Sequence, residues 1–362
     1  MNNKRKNTIT TILFTIFFCT MFFLNIIKSD EKISISERRN LAQFPSFSYK
    51  SLFDGTFFNK FDSYATDQFV ERESFRKAKV NLDLMFKHNY HDIYVYNKYL
   101  VEQLYPFSEK SLLNLTTKIS KIKDLYLKDN NNNIYFSIIP DKNYFVNNGN
   151  LKIDYSLLEK KMCDNLSFAN YINIFDKLNL SDYYKTDSHW KSENLEIIAS
   201  TLLNSINNNE VIPNSYASSV SDFKGVYASR LPIKTDYDEI KIINNNYIEN
   251  AIVFNPIKNE YSKIYNYNKL KSLDKYDIYL SGAEPLLTIT SSLASTEKEL
   301  IIFRDSFGSS LTPWLISSYK EITLVDTRYI APVLLKDYID FENADILFLY
   351  SSTIINNSYT LK

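Results

Sequence analysis

Histidine is scarce in this chain, which makes its chemistry traceable. Among 362 residues only His88, His91 and His189 occur, and a base working near neutral pH is most often a histidine. His88 closes a helical pattern, where an imidazole meets the helix dipole in a structural role. His91 precedes Asp92 and a strand-like run. His189 stands in Tyr184-Lys185-Thr186-Asp187-Ser188-His189-Trp190, with Asp187 two positions before it. In extended backbone, residues i and i+2 project to one face. The Asp187 carboxylate would then hold one imidazole tautomer and stabilise the imidazolium. The competing reading is a capping carboxylate beside an incidental histidine.

A nucleophile for that base is offered by Ile301-Ile302-Phe303-Arg304-Asp305-Ser306-Phe307-Gly308. The pattern is an apolar strand running into a turn and then a helix. Ser306 would lie at the carboxyl edge of a sheet, where α/β folds place ligands. A free hydroxyl is a weak nucleophile and needs an external base. Backbone N–H groups at the start of the following helix would face the oxyanion of a tetrahedral intermediate. The plainer reading makes Ser306 or Asp305 a helix N-cap, with Asp305 a turn residue.

The elements that must position these groups alternate along the chain. Two helices are expected over residues 56–88 with a break near Asp67, then helices at 108–127 (Ser108 as N-cap), 155–166, 191–206, 307–319 and 331–339. Strands are expected at 134–139, 171–175, 226–230, 240–243, 251–254, 278–289, 300–303, 321–325 and 345–350. Such alternation implies an α/β domain with a mostly parallel sheet. Residues 207–275 are richer in strand and loop and read as a possible insertion or lid.

The N-terminus sets the compartment. Residues 8–27, TITTILFTIFFCTMFFLNII, carry no charge and have about the length that crosses a bilayer as a helix. Lys4, Arg5 and Lys6 precede them, so residues 1–7 should stay cytoplasmic and the remainder be exported. No small-residue cleavage site follows. The expected organisation is a cytoplasmic tail (1–7), an anchor (8–27), a polar tether (28–50) and an extracytoplasmic domain (51–362).

Composition excludes several classes. With 42 basic and 42 acidic side chains the formal charge is zero, which leaves no electrostatic footprint for nucleic acid. The five glycines form no phosphate-binding loop of the G-x-G-x-x-G or G-x-x-x-x-G-K type. Cys19 and Cys163 make neither a disulfide framework nor a zinc pattern. No metal-ligand cluster is visible, so neither a metal nor another cofactor is expected.

Together, Asp187-Ser188-His189-Trp190 and Arg304-Asp305-Ser306-Phe307-Gly308 resemble the DHHW family, relatives of the SGNH-like proteins of bacterial alginate O-acetylation. Glu37-Arg38-Arg39-Asn40-Leu41, Asp67-Gln68-Phe69-Val70-Glu71-Arg72, Ile139-Pro140-Asp141-Lys142 and Asp326-Thr327-Arg328-Tyr329 also resemble segments of that family. The resemblance spans roughly residues 36 to 355. It implies an SGNH hydrolase-like three-layer domain, with Ser306 as nucleophile, His189 as general base and Asp187 as its orienter. It also makes Arg328, with Tyr329 beside it, a candidate for the oxyanion or substrate site. Ser188 stands where the signature has its middle histidine, and Arg304 where SGNH hydrolases have glycine. Lys142 is a turn cap or a site residue; Trp190 either touches an acceptor sugar or anchors the His189 loop; the competing reading of Arg328 is a surface or strand-end ion pair.

The function so implied is acyl transfer to an exported or cell-surface polysaccharide, with a membrane-bound O-acyltransferase as possible donor. The alternatives are a carbohydrate esterase with the same residues, or a glycan-binding surface protein with a degenerate site.

Overall fold

The computed structural model describes residues 3–127, 132–147, 149–206 and 215–362. The chain divides into two compact units: residues 1–90 with 229–234, and residues 91–228 with 235–362. The sheet-bearing unit thus begins at His91, whereas the sequence reading drew the domain from residue 51.

The first unit opens with α1 (Asn3–Ile27), which buries none of its side chains and is long and apolar enough to cross a membrane. Two amphipathic helices follow, α2 (Thr56–Asp67) and α3 (Arg72–Lys87), broken just after Asp67 as the sequence reading expected. Two family-like segments meet at this break. Arg39 binds the Asp67 carboxylate through both terminal nitrogens, and Arg72 binds Glu37 in the same way. The hydrogen bonds from Arg39, with the backbone N–H of Ala42, hold the Asp67 carboxyl down to about 2 despite partial burial. His88 ends α3 with a left-handed backbone, the structural place expected of it.

The second unit is built on an eight-stranded sheet. Its strands in chain order are β1 (Ile134–Ile139), β2 (Asn170–Tyr171), β3 (Ile252–Asn255), β4 (Glu260–Ser262), β5 (Leu286–Thr290), β6 (Glu299–Arg304), β7 (Glu321–Val325) and β8 (Ala344–Ser351). In space they run β4-β3-β5-β7-β6-β8-β1-β2. The run from β7 to β2 is parallel and the β4–β3–β5–β7 edge antiparallel. The sheet is therefore mixed, with its parallel part running from the centre to the β2 edge.

Period-2 side-chain projection sorts the strand residues into two cores. Leu300 and Ile302 of β6, with Leu347 and Leu349 of β8, pack on one face against Ile198 and Leu202 of α6 (Glu196–Ile206). Ile301 and Phe303, with Ile346 and Phe348, pack on the other. That second face meets Leu112 and Ile119 of α4 (Glu109–Tyr126) and Leu158 of α5 (Tyr155–Asn165). Helices on both faces of a sheet make three layers. Ser108 caps α4, accepting from the N–H of Ser111.

Several expected elements differ. Residues 226–230 form a helical turn, because the N–H groups of Val226 and Tyr227 are taken by the Asp187 carboxylate and the Thr186 carbonyl. The helix after Ser306, α7, covers only Phe307–Leu311 before Pro313, which lacks an N–H, turns it into a 3-10 segment. Residues Pro332–Asp337 are likewise 3-10, and β2 stops at Tyr171. The region 278–289 yields strand only from Leu286. Of the stretch 207–275, residues 207–214 lie outside the described residues. The remainder includes a hairpin (Ser215–Phe223 with Asp238–Asn244) and supplies β3 and the edge strand β4.

Candidate active site

Ser306 stands two residues past Arg304, the last residue of β6, where the parallel strands end and the chain turns into α7. Its backbone is already helical (φ −62°, ψ −20°) and its side chain makes no capping bond. The capping duty falls to Asp305, whose Oδ1 accepts from the N–H of Phe307 while Oδ2 accepts from the N–H of Ser351 at the end of β8. This carboxylate ties two neighbouring strand ends together and fixes the turn. The Ser306 hydroxyl is left for another partner, and His189 provides it: Nε2 lies 2.7 Å from Oγ.

The imidazole is held from three sides. Its Nδ1 lies 2.5 Å from Asp187 Oδ1, which also accepts the backbone N–H of His189 at 3.0 Å. The Tyr276 ring stacks on the imidazole at 3.8 Å and 11°, and Phe307 lies at 4.8 Å. Asp187 is buried, and burial alone would raise its pKa. The charge of His189, with hydrogen bonds from His189 and Val226, overcomes that and holds the carboxyl well below its usual range. An ionised Asp187 requires the proton on Nδ1, which leaves Nε2 free to accept from the Ser306 hydroxyl. The three side chains thus form one hydrogen-bonded line from the Ser306 hydroxyl through His189 to Asp187.

The loop carrying Asp187 and His189 is itself clamped. Asp238, on the hairpin, accepts from the N–H groups of Lys185 and Thr186 and from the Thr186 hydroxyl. Thr186 Oγ1 in turn accepts from the N–H of Gly225. A Cβ at Gly225 would sit 2.1 Å from Asp187 Cβ, so only glycine admits this approach.

The remaining sequence candidates fall into two groups. Trp190 is fully buried and donates its indole N–H to the Phe307 carbonyl and the Ser310 hydroxyl. It anchors the loop to α7 and presents no surface to a sugar, which corrects its place among the substrate-binding candidates. Lys142 is also buried, its Nζ donating to the carbonyls of Tyr184 and Lys185. It supports the loop from beneath and is out of reach of a polysaccharide, a second correction. Burial pushes its pKa down to about 7, against the raising influence of Asp187, Asp238, Glu102 and Asp141. Arg328 makes the expected ion pair, binding Asp326 through Nε and Nη2, yet its guanidinium also lies 5.4 Å over the half-exposed Tyr329 ring.

The N–H groups expected to face an oxyanion are engaged. Phe307 N–H goes to Asp305 Oδ1, and those of Gly308 and Ser309 go to the carbonyls of Asp305 and Ser306. Arg304 fills the space beneath Gly308, where a Cβ would meet it at 2.9 Å. Its buried guanidinium lies 3.8 Å from Asp326. Sequence reasoning missed Tyr276, Asp238 and Val226; the one signal that could have led there is the scarcity of glycine, since Gly225 packs against Asp187.

This architecture is an SGNH-like α/β fold. A DHHW family protein from Eubacterium siraeum is similar to it with a TM-score of 0.60, over 75% of this chain and 95% of that one, at 17% identity. Bacillus cereus PatB1 is similar with a TM-score of 0.56, over 73% of this chain and 96% of that one, at 15% identity. A PatB1 structure with a sulfonyl adduct matches likewise, at 16% identity, with a TM-score of 0.56 over 73% and 95% of the two chains. The resemblance read from residues 187–190 and 304–308 thus has its counterpart in the fold. No family model and no curated protein matches the sequence.

Proposed function

We propose that this chain is a membrane-anchored, extracytoplasmic O-acetyltransferase acting on a polysaccharide through an acyl-enzyme on Ser306. The observation that carries the proposal is the 2.7 Å approach of His189 Nε2 to Ser306 Oγ across 117 residues of sequence. In the first half-reaction Ser306 Oγ attacks the acetyl carbonyl of a donor ester as its proton passes to Nε2. The tetrahedral intermediate collapses, and the imidazolium returns that proton to the departing alkoxide, leaving acetyl-Ser306. In the second half-reaction a sugar hydroxyl attacks this ester and gives its proton to Nε2. Collapse releases the O-acetylated sugar, and the proton returns to Ser306. Asp187 and the Tyr276 ring both favour the imidazolium that forms in each step. Arg328 and Tyr329 are the proposed contacts to the glycan. Residues 8–27 hold the chain in the membrane, where a membrane-bound acyltransferase would supply the acetyl group.

A sulfonyl fluoride tests the nucleophile directly, because attack by Ser306 expels fluoride and leaves a stable sulfonyl ester. Mass spectrometry should place a single adduct on the peptide containing Ser306. Ser306→Ala should abolish both the adduct and hydrolysis of p-nitrophenyl acetate, by at least about a thousandfold. Equal rates for the two proteins would refute the serine mechanism. Addition of an oligosaccharide should divert the acetyl group to sugar; free acetate alone would mark a hydrolase.

A further inference from the structure

The first unit carries apolar side chains that its own fold leaves uncovered, and their position relative to α1 indicates what covers them. Asn25 is a polar residue inside the apolar run that ends at Ile27. Its amide is satisfied: Nδ2 donates to the Met21 carbonyl, and Oδ1 accepts from the backbone N–H of Val70 at 2.8 Å. Gln68 fastens the same turn to the chain just beyond α1, exchanging two hydrogen bonds with the backbone of Glu31. The α2–α3 turn is therefore held beside the last turn of α1. At about 1.5 Å of rise per residue, the Asn25 position that binds Val70 lies about 3 Å inside the end of the run.

Two aromatic rings occupy this turn. Phe69 and Phe75 lie 5.8 Å apart, with 37% and 51% of their surface exposed. They line an open groove of about 550 Å³ whose remaining wall includes Arg72, Arg76 and Lys79. Arg72 and Arg76 already pair with Glu37 and Glu73, while Lys79 is exposed. Phenyl rings with a basic rim, fixed at the level where an apolar helix ends, suit the boundary between acyl chains and anionic headgroups. We infer that the α2–α3 turn docks on the bilayer surface, with Phe69 and Phe75 inserted beside the exit of α1, so that the unit is held against the membrane and not merely tethered to it. The inference rests on the reading of α1 as a membrane anchor.

Depth-dependent fluorescence quenching tests it on the full-length protein in nanodiscs of phosphatidylcholine and phosphatidylglycerol. Phe69→Trp and Phe75→Trp are compared with the wild type, whose Trp190 and Trp314 are buried and set the background. Lipids brominated near the glycerol backbone should quench the added tryptophan at least about twofold. The two rings are close enough that either variant decides the matter if the other fails to fold. Phe14→Trp, well inside α1, reports separately on the anchor through lipids brominated deep in the acyl chain. Quenching at 14 without quenching at 69 or 75 overturns the docking and leaves the anchor standing. Absence of quenching at all three positions overturns both.

Discussion

At the scale of single residues, the site is organised by a carboxylate kept ionised where burial opposes ionisation. Asp187 is almost wholly buried, yet its pKa is lowered, because the His189 ring and the backbone N–H groups of His189 and Val226 all donate to it. Three donors converging on two oxygens outweigh the loss of water. An amide in its place keeps the shape but offers an N–H toward Nδ1 and favours the wrong tautomer. Asp187→Asn should therefore lower kcat/KM for p-nitrophenyl acetate by about three to four orders of magnitude. Sulfonylation of Ser306 should slow in parallel while the protein still folds. Unchanged labelling would mean that His189 needs no orienter. The meeting of Ser306, His189 and Asp187 was legible because histidine is scarce, the i, i+2 spacing is local and the strand-to-turn run before Ser306 is contiguous. Tyr276 was not legible: a tyrosine that stacks on the imidazole is one of 28 in the chain, and nothing local marks it.

At the scale of elements, the site depends on segments that approach each other closely enough to exclude a methyl group. Gly225 lies against Asp187, with space for a Cβ filled by the Asp187 side chain and backbone. Gly225→Ala must push the turn at 225–226 away from the loop and stretch the bond from Val226 to Asp187. Overpacking of this kind typically costs about 1–3 kcal/mol. The melting temperature should fall accordingly, and the esterase rate should fall by more than the unfolded fraction explains. A variant with full activity would show that the Val226 contact does not matter. The β6–turn–α7 unit was readable because its apolar run and turn chemistry are contiguous. The turn at 226–230 was misread as strand because the partners of its N–H groups lie about forty positions upstream. Periodicity cannot report such long-range hydrogen bonds.

For the molecule as a whole, β6 and β8 are continuous apolar runs, as strands covered on both faces must be, and their residues feed a core on each side of the sheet. The antiparallel edge was not foreseeable, since strand order is set by contacts between distant segments. The same limit hid the role of Lys142, an amine buried on the turn after β1 against the loop that carries His189. Its Nζ satisfies two backbone carbonyls, with the Tyr227 ring at 4.8 Å. Enclosure lowers its pKa from the ordinary 10.5 to about 7, and this links folding to pH with a definite sign. Between those two values the unfolded chain binds a proton at Lys142 that the folded protein lacks. Stability therefore rises with pH across that window and is insensitive to this group below about 7. Lys142→Met removes the linkage while keeping an apolar stem of similar length. It also leaves two carbonyls without their donor, so the sign of the difference at any one pH is not the informative quantity. The melting temperature of the wild type minus that of Lys142→Met should climb steadily from pH 7 to pH 10, as other titrating groups cancel in the subtraction. A difference that stays flat over this range would mean that Lys142 remains charged throughout, held by Asp187 and Asp238 more strongly than burial opposes it.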